Sequence, residues 1–198
     1  MTKFILSSGG IKKTPNFKKF VGDIFDGSGS SPKVLLCFFA EPREYWEDKF
    51  VLFSELLKEN VEQGVFPKFT LASQENFEQE VADSGIIYFY GGDFELLKYR
   101  LGQYDLQKLL QNKTVAGSSS GFVIFVKTFF DSDCRKVNYG LGFIPIKTLP
   151  HFGEVISDPV RGELDWQKAE EELKKAEPTD LEISKIQAGE YQIFEVEL

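Results

Sequence analysis

The chain has 198 residues, 42% hydrophobic and 27% charged, which suits one sizeable α/β domain over residues 1–198 and is short for two. A formal net charge of −8 argues against a general affinity for nucleic acid or an anionic membrane, since both need a basic face. No apolar run approaches the roughly 18–20 residues of a membrane span, and the first apolar run is too short for a secretory signal, so a cytoplasmic location is expected.

Lys3 to Ser7 reads as a short strand ending in a serine- and glycine-rich loop, without the spacing of a dinucleotide or P-loop site. Asn16 to Phe25 has apolar residues at helical spacing, and 26–32 is a Gly/Ser loop. Lys33 to Ala40 is a continuous apolar run, consistent with a strand buried on both faces. A long helix is predicted over Glu44–Gln63 with Gly64 stopping it, then a strand over Phe69–Ala72 and a short helix over Gln74–Asp83. Ile86–Tyr90 is a further buried strand, followed by Gly91-Gly92-Asp93 and helical pieces over Phe94–Leu101 and Leu106–Gln111. Thr114–Ala116 is the next strand, and Phe122–Phe130 continues as an apolar segment able to start a helix. Tyr139–Ile146 reads as a strand, Asp165–Ala176 as a solvated helix, and Leu181–Leu198 as strand-like on both sides of Ala188-Gly189, forming a last hairpin. Strands separated by helix-length connections predict a three-layer, mostly parallel α/β sheet. Ligand sites in such sheets lie beyond the carboxyl ends of the strands. The loops at 7–10, 41–43, 91–93 and 117–121 would converge there.

Gly117-Ser118-Ser119-Ser120-Gly121 fits G-x-S-x-G, the pattern of a nucleophile elbow. Small neighbours tolerate the sharp strand-to-helix turn, which lifts the Ser119 hydroxyl clear and aims the Ser120 amide at a developing oxyanion. The same five residues also suit a flexible connector. His151 is the sole histidine, placed just past a predicted strand end in a Pro-His-Phe turn. It is the one imidazole able to take a proton from Ser119, and otherwise a strand-end cap. The residue orienting His151 is open among the 31 acidic side chains; Glu190 is preferred, with Asp158 and Asp180 behind it. Cys37 reads as a buried thiol and Cys134 as a turn residue; neither fits a metal-ligand pattern, and a disulfide between them is not expected.

Four stretches resemble the peptidase E and cyanophycinase family of serine peptidases. They are Ile86 to Leu97 with its glycine turn, the elbow at 117–121, Leu149-Pro150-His151-Phe152, and Gly189-Glu190 before an apolar strand. The resemblance implies a class I glutamine amidotransferase-like (flavodoxin-like) fold. It implies a Ser119–His151–Glu190 triad with the amides of Gly92 and Ser120 as oxyanion donors. It also implies cleavage of dipeptides or short peptides with an amino-terminal aspartate, and no metal or organic cofactor. Arg43 and Arg100 are the cations an acidic substrate would use. The chain departs from the family at Asp93, Ser120 and Phe122, where Asn, Ala and Ala are usual. A carboxylate at 93 could repel both an oxyanion and an acidic substrate, and Phe122 could narrow the pocket or pack. Asp93 and Phe122 favour a second reading, a non-catalytic member of the fold that binds a small molecule or a protein. A cysteine-based amidotransferase is a third and is disfavoured, since neither Cys37 nor Cys134 follows a strand into a small-residue turn. The aromatic excess, 20 Phe among 198 residues, leaves room for an exposed homodimer patch.

Overall fold

A computed structural model describes residues 1–198. In chain order its elements are β1 (Thr2–Ser7), α1 (Asn16–Phe25), β2 (Lys33–Cys37), α2 (Trp46–Asn60), β3 (Lys68–Leu71), α3 (Phe77–Asp83), β4 (Ile86–Phe89), α4 (Phe94–Leu101), α5 (Leu106–Leu109) and β5 (Thr114–Ser118). There follow α6 (Ser120–Val123), β6 (Val126–Asp131), β7 (Lys136–Tyr139), β8 (Ile144–Pro150), β9 (Ser157–Asp158), β10 (Gly162–Glu163), α7 (Trp166–Lys175), β11 (Ile183–Ile186) and β12 (Tyr191–Val196).

The main sheet has the order β12-β1-β5-β4-β2-β3. All neighbours are parallel except β12, which runs antiparallel to β1. The central strands are apolar on both faces because helices cover both. The chain moves from β1 through β2 to β3 at one edge, then returns through β4 to β5. Right-handed crossovers therefore put the helices of the return on the opposite face. Consistent with this, α1 packs against α2, while α3 packs against α5 and α4 against α6. Helix α1 turns Phe17, Phe20, Val21, Ile24 and Phe25 inward at helical spacing. Helix α2 is shorter than its pattern suggests. A 3-10 turn at Arg43–Tyr45 precedes it, and the chain extends at Val61 before reaching Gly64.

The register decides where the site lies. Ser7 pairs with Ser118, Phe89 with Gly117, and Cys37 with Phe89. Four strand ends thus finish level, and the loops after β1, β2, β4 and β5 meet at one edge.

The second half differs from the sequence expectation in three places. Of the apolar segment 122–130 only Phe122 and Val123 are helical, and residues 126–130 belong to β6. The stretch 139–146 is not one strand but the end of β7, a loop, and the start of β8. Gly140 sits so close to the carbonyls of Val123, Ile124 and Val126 that a side chain has no room. The loop bonds back onto this junction, Leu141 N–H donating to Ile124 O (2.7 Å) and Ile144 N–H to Phe125 O (2.9 Å). The final strands do not form a hairpin either. β11 pairs with β8 in a second sheet of order β11-β8-β6-β7, whereas β12 closes the main sheet. That second sheet packs Phe130 and Leu149 against Ala169 and Leu173 of α7. No helix is long and apolar enough to cross a membrane.

Candidate active site

Ser119 stands between β5 and α6 with φ 53° and ψ −119°, a backbone conformation that a non-glycine residue rarely adopts. Its surroundings hold it there. A Cβ on Gly117 would run into Gly121 O, and one on Gly121 into Phe89 O, so only glycine fits on either side of the turn. Ser119 N–H donates to Ser7 O (3.0 Å), tying the turn to β1, and Phe122 N–H donates to Ser119 O (2.8 Å) to open α6. With Val115 and Ala116 buried before it and Phe122 to Phe125 buried after it, this is a packed elbow and not a flexible connector. Phe122 is fully buried and fills the core.

The loop after β4 leans against the elbow. A Cβ on Gly91 would lie 2.8 Å from Ser118 O, and one on Gly92, at φ 151°, would lie 2.5 Å from Ala40 O. Asp93 N–H donates to Ala40 O (2.8 Å), and its side chain caps α4 by accepting from Leu96 N–H (2.8 Å). That cap explains a carboxylate at this position: it satisfies a helix amide at the positive end of the helix. Ser120 N–H is the first amide of α6, where no intrahelical acceptor exists.

His151 is the first residue beyond β8 and also has a positive φ, 58°. Its ring lies against Gly9 in the loop after β1. Ser119, Ser120, Gly92, Asp93 and His151 line one cleft of about 280 Å³. The second sheet thus brings His151 to the edge where the elbow lies.

The acidic partner of His151 is a different residue from the one expected. His151 Nδ1 is 3.1 Å from Glu154 Oε2, and Glu154 N–H donates to His151 O (3.1 Å). The turn passes through Gly153 at φ 82° and is anchored by Trp166 Nε1–H donating to Glu154 O (2.9 Å). The pattern His151-Phe152-Gly153-Glu154 carries this in the sequence: a glycine between two residues three apart folds their side chains together. Glu190 instead accepts from Gln187 N–H (3.0 Å) within its own turn and faces a separate groove with Asn16 and Lys19. Asp158 is held by Arg161 (3.0 Å), and Asp180 is exposed.

The expected substrate cations are also elsewhere. Arg100 donates to Phe39 O (2.8 Å) and Glu41 O (2.7 Å), fixing the loop after β2. Arg43 pairs with Glu47 (2.6 Å) and lies over the Trp46 ring. Neither lines the cleft. Both cysteines are free. Burial pushes the Cys37 thiol far up, and burial together with Asp131 pushes Cys134 up, so neither is activated as a nucleophile. No group of three His, Cys, Asp or Glu side chains is placed to hold a metal ion.

No protein-family model matches the chain, and no curated protein does. Solved structures do. The chain superposes on the crystal structure of a peptidase from an acI-B1 Actinobacterium with a TM-score of 0.66 at 20% identity, covering 98% of this chain and 83% of that one. It superposes on a candidate peptidase E from Listeria monocytogenes EGD-e with a TM-score of 0.58 at 18% identity, covering 99% of both chains. The chain therefore has a flavodoxin-like α/β fold of the peptidase E type.

Proposed function

We propose that the protein is a serine peptidase acting on short peptides. The observation that carries this reading is the pairing of a strained elbow serine, Ser119 at φ 53°, with His151 in one cleft, His151 Nδ1 being 3.1 Å from Glu154. The fold shared with two peptidase-named structures supports it.

In this mechanism Ser119 Oγ attacks the scissile carbonyl while His151 Nε2 takes its proton. Glu154 accepts from Nδ1–H, fixes the tautomer and stabilises the imidazolium that forms. The developing oxyanion is held by the amides of Gly92, which has no acceptor within the protein, and Ser120. Collapse of the tetrahedral intermediate breaks the C–N bond as His151 returns the proton to the leaving amine. Water then attacks the acyl-enzyme, His151 removing its proton, and Ser119 leaves. The small cleft suits a short peptide better than a folded chain. An amino-terminal aspartate, implied by the family resemblance, would meet no Lys or Arg side chain there.

The test is hydrolysis of a dipeptide panel that includes Asp-Xaa, by wild type and by Ser119→Ala. Turnover lost in the variant supports the reading. Equal turnover by both proteins removes Ser119 from the chemistry. No turnover by the wild type on peptides or esters favours a binding module on the same fold.

A further inference from the structure

The cleft that holds Ser119 and His151 has an acidic wall. Its lining includes Asp93, Glu95, Asp131 and Asp133 and no basic side chain other than His151. Asp131 is fully engaged by its own hairpin. Its Oδ1 accepts from the amides of Asp133 (3.0 Å) and Cys134 (2.9 Å), and Oδ2 accepts from Asn138 Nδ2 (3.0 Å). Asp93 gives one oxygen to the α4 cap. Glu95 and Asp133 are exposed and enter no salt bridge.

Cations flank this wall without lining it: Lys136 acts on Cys134 through space, and others are tied to the backbone. Arg161 donates to Asp133 O (2.8 Å) and Cys134 O (3.1 Å) while paired with Asp158 (3.0 Å), so that pair adds no net charge. Arg135 Nη1 donates to Arg161 O (2.9 Å), and Lys98 Nζ to Tyr139 O (2.8 Å). A second observation points to a ligand here. Ser120, only 4% exposed, lines the same cleft, and its Oγ has no hydrogen-bond partner. A buried hydroxyl without a partner is costly unless a bound group meets it.

Within the serine-peptidase reading, on which this rests, we infer that the cleft selects short peptides whose amino-terminal residue is arginine or lysine over those beginning with aspartate. The free carboxylates of Glu95 and Asp133, with the second oxygen of Asp93, attract a cationic side chain and repel an anionic one. These groups are partly solvated, so the discrimination is moderate and salt-sensitive.

The experiment compares kcat/KM for Arg-Ala, Lys-Ala and Asp-Ala in wild type and in a Glu95→Gln/Asp133→Asn double variant, at low and high salt. The expected Arg/Asp ratio in the wild type is about tenfold or more at low ionic strength, shrinking in high salt and in the double variant. Because the ratio is internal to each protein, a partly unfolded variant does not disturb it. A wild-type ratio at or below one overturns the inference and leaves the serine chemistry intact. If no peptide is turned over, the peptidase reading fails on its own, and calorimetric binding of Arg-Ala and Asp-Ala to Ser119→Ala decides the charge preference. Tighter Arg-Ala binding supports it; equal binding or tighter Asp-Ala binding overturns it.

Discussion

Gly9 and His151 are packed so closely that a Cβ on Gly9 would stand 2.6 Å from His151 Cε1. Gly9 lies in the loop after β1 and has φ 115°, so the first loop of the chain supports the imidazole delivered by a strand of the second sheet. In Gly9→Ala the ring has to move. The expected result is a drop in kcat of about 100-fold with little change in KM, since a shift of about 1 Å in a catalytic group has that effect. Steady-state kinetics on the best peptide, beside a thermal melt, checks it. Unchanged kcat in a folded variant would show that the ring position is not critical.

Glu154 and Glu190 can be separated by paired variants. Glu154→Gln removes the carboxylate from His151 Nδ1, and kcat should fall by up to about 10⁴-fold, the effect of turning the orienting carboxylate of a serine triad into an amide. Glu190→Gln keeps a carbonyl oxygen able to accept from Gln187 N–H, and kcat should change by less than about threefold. The reverse order of effects would return the orienting role to Glu190.

Lys147 is the one fully buried lysine. Its Nζ donates to Leu173 O (2.9 Å), Lys174 O (3.1 Å) and Ala176 O (2.6 Å), closing the carboxyl end of α7. A cation there meets the negative end of the helix and satisfies the carbonyls of Lys174 and Ala176, while Leu173 O also accepts from Ala176 N–H (3.3 Å). Lys147→Met should cost about 3 kcal/mol in urea unfolding, because the methionine fills the space but leaves the Lys174 and Ala176 carbonyls unpaired. A loss below about 1 kcal/mol would mean that water replaces the ammonium.

The Arg161 side chain, with the amides of Arg161 and Val160, holds the Asp158 carboxyl below the usual carboxylate range. A depressed folded pKa contributes stability that is complete above the unfolded value of about 4 and is lost as pH falls through the folded value. The stability difference between wild type and Asp158→Asn should therefore be constant near neutrality and shrink below about pH 4. Urea titrations from pH 7 to pH 3 measure it. A difference that stayed constant through the acid range would show that Asp158 is not coupled to folding.

The sequence by itself determined the strands and helices of the first half and the elbow. The reason is local: apolar runs such as Val34 to Cys37 are too short for a core helix and suit a buried strand, and Gly117 and Gly121 mark a turn where any side chain would strike a carbonyl. It also marked Ser119 and His151, because a chain with one histidine offers a serine one imidazole. Tertiary structure decided what spacing could not. It broke the 139–146 stretch at Gly140, where three carbonyls of distant residues crowd the backbone, and sent β11 and β12 to different sheets. It took Arg43 and Arg100 out of the site, since a guanidinium's partners are carbonyls and carboxylates that come together only on folding. It also gave His151 to Glu154 and not to Glu190. Both carboxylates lie in turns beside the apolar strands that lead to the site, and only the direction of each turn decides which one meets the ring.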